Sequence, residues 1–476
     1  MPARRPLPLT IALTCAVLSL AAVVVTLCRL HIVPLTSIDA ADANMRMLWP
    51  FWIASASCWA ALTSVWLVVR REQQGAGRRA VLLVVGVAVT ARVIVLAVGA
   101  PTLSDDVYRY AFDGGNLAHG VNPYTVRPQD RLDDPAFTER WPGEAYLLPR
   151  MNNPDMTTIY LPLSQLVFAA TPTSSTRVYR VVFTVFDVAV IALILVALAR
   201  AGRSPWWATL YAWHPLPLAE IAGSGHQESL GVLLLVGTLL MADRFPRRVW
   251  AWTGLLAAAS LVKPVVLPVA AFALKGQPWR AWVLSLAVGV VVCTALAAPL
   301  WLTDSGEPIR QLIETADRFR LKWAHFGSVY EPLLWTVEKV RPDWDNDRQE
   351  ILARWICTAL VAAVIAGLWW RGPPTLWGRT RLLLLAMVLL SPTAHPWYLL
   401  WALAMVPMAP GIATWIASLT LSWGYVAWAN VAADGTAGWG VSPWIMLAAY
   451  APIYAMLVLL MYRGCRLHGS STRSTP

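Results

Sequence analysis

Apolar stretches recur through almost the whole chain, most of them near the ~20 residues that a helix needs to cross a bilayer. They lie at residues 7–28, 48–69, 80–100, 178–199, 206–222, 230–242, 250–274, 282–302, 351–370, 382–409, 412–430 and 443–462. Lipid supplies no hydrogen-bond partners, so each stretch has to close its backbone bonds within itself, as helix. Only 14% of the residues are charged, against roughly a quarter in a soluble protein. The chain therefore reads as an all-α integral membrane protein, a single polytopic domain over residues 1–476. The run at 7–28 follows Arg4-Arg5 as a signal sequence would, but it is long enough to span and has no clean A-x-A site after it. It is expected to stay as the first helix.

The formal charge of +11 is spread in short arginine clusters between apolar runs. A nucleic-acid binder would gather it into one stripe, so no nucleic-acid partner is expected. Arg70, Arg71, Arg78 and Arg79 form one cluster; Arg200 with Arg203, Arg244 with Arg247 and Arg248, Lys275 with Arg280, Arg371 with Arg379 and Arg381, and Arg463 with Arg466 form the others. Their only acidic companions are Glu72 and Asp243. The positive-inside rule puts these connections in the cytoplasm and the acidic ones outside. Alternation fails at two runs. Run 250–274 carries Lys263-Pro264 and Pro268 in its middle, and run 382–409 carries Ser391-Pro392 and His395-Pro396. The charge signs recover if each is a hairpin of two short helices. A half of about 13 residues rises only about 20 Å, short of the ~30 Å core, so such hairpins must be sheltered by protein or line an aqueous cavity. The expected total is about 11–14 transmembrane or re-entrant helices, around a cavity open to the outside with Lys263 and His395 near its floor.

Two external segments, 101–177 and 303–350, are long enough to build structure of their own. The first closes on IYLPLSQLVF (159–168), expected as a helix along the interface. The second is rich in charge and Trp and reads as amphipathic. The 27 tryptophans cluster at run ends, as interfacial belts do. The six cysteines have neither CxxC nor Cys/His spacing and imply no zinc site or disulfide framework. No internal repeat is visible, and low complexity is confined to the Ser/Thr/Arg tail at 469–476.

Chemistry concentrates where the third run ends. SDDVYRYAFDGGNLAHGVNPY (104–124) sets Asp105 and Asp106 just beyond a membrane helix, with Tyr108, Arg109 and Tyr110 in the next turn and Asp113 after them. Carboxylates so close to hydrocarbon need partners or a task. The same topology brings Glu220, His226 and Glu228 (AEIAGSGHQES), then Lys263, then His395 and Tyr398 (SPTAHPWYLLW) to one rim. Acid, base and cation converging from separate helix ends mark a membrane active site. Each has a structural reading beside it. Ser104-Asp105-Asp106 suits a helix N-cap; His226 after Gly223-Ser224-Gly225 suits a turn. Lys263 could pair with Glu220 or Asp187, His395-Pro396 could cap a helix, and Asn122-Pro123-Tyr124 suits turn chemistry. No Walker A, GxSxG, HExxH, kinase set or dinucleotide fingerprint is present.

These strings, with MNNPDMTTIYLPLSQLVF, WHPLPLAEIAGSGHQESLGVLLL, LAAASLVKPVVLP and LLSPTAHPWYLLW, occur in an order that resembles the bacterial GT-C glycosyltransferases, in the branch of polyprenol-phosphate-mannose-dependent mannosyltransferases. The resemblance runs from about Ser104 to Trp401. It implies a GT-C-like fold and inverting transfer of a hexose, mannose by family, from a polyprenyl-phosphate carrier in the plasma (inner) membrane to a glycan, glycolipid or protein acceptor on the extracytoplasmic face. Asp105 or Asp106 would be the catalytic base, with Asp105 slightly preferred. Arg109, Lys263, His395 and Tyr398 would hold the donor phosphate. Tyr110, Asp113, Asn122, Tyr160, His226 and Glu228 would meet the acceptor or support the site. The family often has Asn-Asp where this chain has Gln227-Glu228, which leaves the role of Glu228 open. The lipid-linked sugar is the donor expected; some branches use a divalent ion, so metal dependence stays open, and no residue here is assigned as a metal ligand. The rival readings are a transporter or flippase of lipid-linked sugars, and a lipid-carrier-dependent transferase of another sugar.

Overall fold

A computed structural model describes residues 7–31, 38–71, 77–101, 103–131, 134–430 and 440–471. Arg4-Arg5, Glu72 and the last residues of the Ser/Thr/Arg tail lie outside them. Among the described residues there is no β-strand, and seven helices are long and apolar enough to cross a membrane. Those seven comprise α1 (Leu7–Arg29), α2 (Ile38–Val69), α3 (Arg78–Val98), and, further on, Thr176–Arg200, Trp279–Trp301, Asn346–Arg371 and the first part of Pro443–Ser471. The first run is thus a helix packed on α2 inside the bundle. The protein is an all-α membrane protein.

Between α3 and the next spanning helix, the segment after Pro101 folds into α4 (Asp106–Ala118), short turns, and α5 (Pro162–Ala169). α5 begins at Pro162, where a missing N–H costs nothing. The expected interfacial helix is therefore present, but it is tucked into the protein: Ser164, Gln165 and Phe168 are buried against α4. A side chain at Gly114 would collide with the Phe168 carbonyl and the Tyr179 hydroxyl, each 2.5 Å from the Cβ position. Only glycine lets the two helices approach this closely.

α6 (Thr176–Arg200) crosses beside α3, and a buried ion pair joins them. Arg92 Nε donates to Asp187 Oδ2 at 2.6 Å, and Tyr211 donates to Oδ1 at 2.7 Å. Arg92 also donates to the carbonyls of Ala88 and Ala212. Asp187 thus serves Arg92, leaving Lys263 to find its partner elsewhere.

The apolar run at 206–222 does not form the single span its composition suggests. It breaks into the turns Pro205–Ala208, Thr209–Ala212 and Pro215–Pro217 and the π-helix Leu218–Gly223. Pro205, Pro215 and Pro217 remove the N–H groups a continuous helix would need. Residues 204–230 are all buried, which is where irregular backbone can exist at membrane depth. α7 (Glu228–Arg244) then returns.

Both expected reversals are present, although the second returns through the short turns Pro396–Leu399 and Leu400–Leu403 where a helix was expected. α8 (Val249–Ser260) and α9 (Pro268–Leu274) break at Lys263-Pro264, and the start of α8 meets the end of α9 in one cluster of Ala242, Val249, Trp252, Leu274 and Ala281. The chain has reversed. After α10 (Trp279–Trp301), the amphipathic α11 (Glu307–Lys322) and α12 (Tyr330–Val340), and α13 (Asn346–Arg371), α14 (Leu376–Leu390) opens the second hairpin. Trp377, at its start, donates to Asp243 at 2.6 Å, while Met408, at the hairpin's end, accepts from Arg203 at 2.8 Å. Lys275 bonds the Trp369 carbonyl at the same end of the bundle. The arginine clusters at 200–203, 244–248, 275–280 and 371–381 therefore gather at one end and the hairpin tips point to the other. α15 (Ile412–Thr420), a long 3-10 turn (Leu421–Ala429) and α16 (Pro443–Ser471) complete the chain.

Candidate active site

At the end opposite the arginine clusters the hairpin tips, the 104–110 turn and the α11–α13 segment enclose a cavity of about 1030 Å³. Part of its lining is ionic or polar: Asp105, Asp106, Asn152, Glu228 and Lys263. The lining also has an apolar part, from Leu312, Ile313, Phe319, Val361, Met387 and Leu390.

The aspartates are placed by backbone repair at the end of α3. The last carbonyls of a helix lack partners. Arg180 of α6 supplies them, donating to Val95 O at 3.0 Å and Gly99 O at 2.7 Å, and also to Ala222 O at 2.9 Å. This fixes the turn from which Asp105 emerges. Ser104 Oγ accepts from the Asp106 amide at 3.2 Å, so the serine caps the turn and the Asp105 carboxylate makes no capping bond. Instead Asn152 Nδ2 donates to Asp105 Oδ1 at 2.6 Å and to Asp106 Oδ1 at 3.1 Å, bridging the two carboxylates. Burial, then the neighbouring Asp106 charge, push Asp105 up to about 7, against the lowering effect of its backbone and Asn152 hydrogen bonds and the nearby His226. A carboxyl held there can exchange a proton near neutrality.

Arg109 lines the cavity, with its guanidinium held by α4 and the Asn152 loop. Nε donates to Asp113 Oδ1 at 2.9 Å and Nη2 to the Met156 carbonyl at 3.0 Å. Gln165 donates to the other oxygen of Asp113 at 3.0 Å. This network nails the Asn152 loop to α4. Asp113 is thus a buried partner of Arg109 and does not line the cavity. Asn122 is also away from the cavity: it donates to Leu300 O at 2.7 Å and Thr303 Oγ1 at 3.2 Å, tying the loop to the end of α10. Both were expected to meet the acceptor or to support the site, and of the two their positions suit support. Their side chains are consumed by loop anchoring, which is a tertiary requirement. Tyr110 and Tyr160 do line the cavity, edge to face at 4.9 Å, with Tyr110 stacked on Phe168.

Lys263 stands at the first hairpin tip. Its Nζ is 3.1 Å from Glu228 Oε1 and 3.5 Å from the centre of the Tyr398 ring. An ammonium has three donors, so the single bond to Glu228 leaves others for a ligand in the cavity that Lys263 lines. His226 lies behind the wall, with Nδ1 3.7 Å from Asp106 and from Glu228 and Nε2 3.3 Å from Glu220. His395, at the second tip, receives the Trp323 indole N–H on Nε2 at 3.4 Å. An indole only donates, so this nitrogen carries no proton and His395 is a neutral imidazole offering Nδ1–H.

Sequence reasoning gave no role to Asn152, Arg180, Trp323, His325 or Arg354. His325 pairs backbone to backbone with the second tip: its amide donates to Pro392 O at 3.1 Å and its carbonyl accepts from Ala394 at 2.9 Å. Arg354 donates to the carbonyls of Trp323 and Leu321. Together they fasten the α11–α12 segment over the cavity. Asn152-Asn153 before Pro154 was visible as polar loop chemistry, but nothing local says that it bridges residues 47 positions away.

A family model described as alpha-(1->6)-mannopyranosyltransferase, N-terminal domain (MptA_B family), matches residues 10–280, more than half of the chain. No curated protein and no solved structure matches the chain.

Proposed function

The chain belongs to the alpha-(1->6)-mannopyranosyltransferase family, and on that premise we propose that this membrane mannosyltransferase draws its sugar from a polyprenyl-phosphate carrier and delivers it, with inversion, to an acceptor hydroxyl at the extracytoplasmic face of the plasma (inner) membrane. One observation carries the reading: a single cavity is lined both by a bridged pair of carboxylates and by an apolar surface. A lipid-linked sugar needs both. Its isoprenoid chain suits the apolar lining and its anomeric carbon the carboxylates. The arginine clusters sit at the far end of the bundle, so the positive-inside rule favours an outward-facing cavity.

Asp105 is the base. Its carboxylate takes the acceptor O–H proton while the hydroxyl oxygen bonds to the anomeric carbon. The bond from that carbon to the phosphate oxygen breaks, and the electron pair leaves with the polyprenyl phosphate. Phosphate is already a good leaving group, so the enzyme needs a base, worth about 10²–10⁴ in rate, and donors where charge develops. Lys263 and the Nδ1–H of His395 supply these donors, with Tyr398 seating the lysine. Arg109 acts on the loop instead. Among the described residues no group of three or more His, Cys, Asp or Glu is arranged to hold a metal ion, and no step is routed through one. The acceptor is a glycan, glycolipid or protein hydroxyl reaching in beside Asp105, Tyr110 and Tyr160.

The test is purified protein in lipid nanodiscs with a panel of polyprenyl-phosphate sugars and an α-mannoside acceptor. Consumption of the mannosyl donor, lost in Asp105→Asn with the fold intact, is the expected result. A folded enzyme that leaves every lipid-linked donor untouched, or uses a nucleotide sugar instead, overturns the reading.

A further inference from the structure

Behind Asp106 lies a second set of ionisable groups that the transfer step does not touch. Glu220 sits in the π-helix Leu218–Gly223 and is 0% exposed. Single-turn π distortions are frequent at functional sites because they re-aim a side chain. Among the described residues neither oxygen of Glu220 accepts a well-formed hydrogen bond; the ring of His226, with Nε2 at 3.3 Å, is the group that faces it. On the opposite edge of that ring, Nδ1 is 3.7 Å from Asp106 Oδ2 and 3.7 Å from Glu228 Oε2. Trp397 stacks on the same ring with centroids 4.3 Å apart, and on His395 at 4.2 Å. Two rings so close to one indole must occupy its opposite faces.

A buried carboxylate has to be paired or neutralised. Carboxylates on both edges of an imidazole call for an N–H on each, and only the imidazolium has both. An indole face favours the cation as well. Resting on the reading of Asp105 as the base, we infer that the His226 imidazolium, seated by Glu220 and Trp397, is a positioning residue that keeps Asp106 and Glu228 ionised and steers the acceptor proton to Asp105. His226 itself neither gains nor loses a proton during the transfer.

The charges around the ring all enter the argument. Asp105 and Asp106 come from the turn before α4, Glu220 from the π-helix, Glu228 from α7, Lys263 and His395 from the two hairpin tips. Arg180 of α6 also approaches, but its guanidinium is spent on the carbonyls of Val95, Gly99 and Ala222. Burial works against a charge on His226, yet Glu220, Glu228 and Asp106 carry its pKa above the ordinary histidine value.

The experiment measures kcat/KM against pH in nanodiscs for wild type, His226→Gln and Glu220→Gln, using mannosyl polyprenyl phosphate. Removing the positive charge exposes Asp105 to the uncompensated field of Asp106 and Glu228. The acidic limb then moves to higher pH by about one unit in both variants. Folded variants with uniformly slower rates and an unmoved limb, or a limb moved to lower pH, overturn the inference. Should His226→Gln fail to fold, Glu220→Gln carries the test, because it keeps the shape and removes the anion that holds the proton. Histidine-selective ¹⁵N NMR of the wild type decides independently of activity: an imidazolium for His226 at pH 7 supports the inference, and a neutral ring sinks it. A wild-type enzyme that turns over no lipid-linked donor at any pH overturns the functional reading instead.

Discussion

Asn152→Ala removes the amide that bridges the two aspartates and leaves their surroundings otherwise intact. The wild-type amide donates to Asp105 at 2.6 Å and to Asp106 at 3.1 Å. Hydrogen bonds to a charged group contribute about 1.5–3 kcal/mol net, and 1.36 kcal/mol corresponds to one pKa unit. The bond favours the carboxylate, so its loss raises the proton affinity of Asp105 by roughly one to two units; half-burial of Asp105 argues for the lower end. A base works when deprotonated, so activity is present above its pKa and lost as pH falls through it. Starting from about 7, the acidic limb of kcat/KM moves to about 8. At pH 7 the ionised fraction falls from about one half to about one tenth, a loss of roughly fivefold that is recovered near pH 9. The assay is a pH series of donor consumption in nanodiscs, with a thermal melt to confirm folding. A variant that melts like wild type and keeps its limb at the wild-type pH, or shifts it downward, refutes the assignment of Asp105 as the titrating base.

Asp105→Asn is expected to lower kcat by about 10²–10⁴, and Asp106→Asn to lower it less while shifting the pH profile; equal losses without a pH shift would make the pair a single structural unit. Asp187→Ala leaves Arg92 buried without its carboxylate, which costs about 3–5 kcal/mol and should appear as a lower melting temperature in detergent; an unchanged melt would contradict the buried pair. Gly225→Ala places a Cβ 2.9 Å from Arg180 Cγ at a φ of +84°. That strain, about 1–3 kcal/mol, displaces the neighbouring His226, so the variant should lose activity beyond what its melt explains. Lys263→Met should raise the KM for the lipid-linked donor more than it lowers kcat; donor affinity equal to wild type would remove Lys263 from the phosphate site.

The re-entrant hairpins were legible because two independent signals agreed. Charge signs failed to alternate across 250–274 and 382–409, and prolines beside Lys263 and His395 supplied the breaks. At 206–222 only prolines were available, and a run that is apolar throughout looks the same whether it crosses lipid or lies broken inside protein. The aspartate pair, Glu228, Lys263 and His395 could be gathered from topology alone, since each follows a helix end of the same sign. Asp113 and Asn122 are drawn away by partners distant in sequence, Gln165 for one and the end of α10 for the other. The protonation of His395 was not legible either, because the indole that bonds its ring comes from Trp323.

By itself the sequence determined that this chain is a helical membrane protein, which of its connections lie on the arginine-rich side, and where carboxylates meet the opposite rim. Those properties are set by the cost of putting charge and open backbone into hydrocarbon, a cost paid residue by residue. The tertiary structure alone decided which aspartate is held near neutrality, which cations are already spent, and that a histidine ring sits between Glu220 and Asp106. Those are outcomes of pairwise distance and local burial, and they exist only once helices far apart in the chain have packed together.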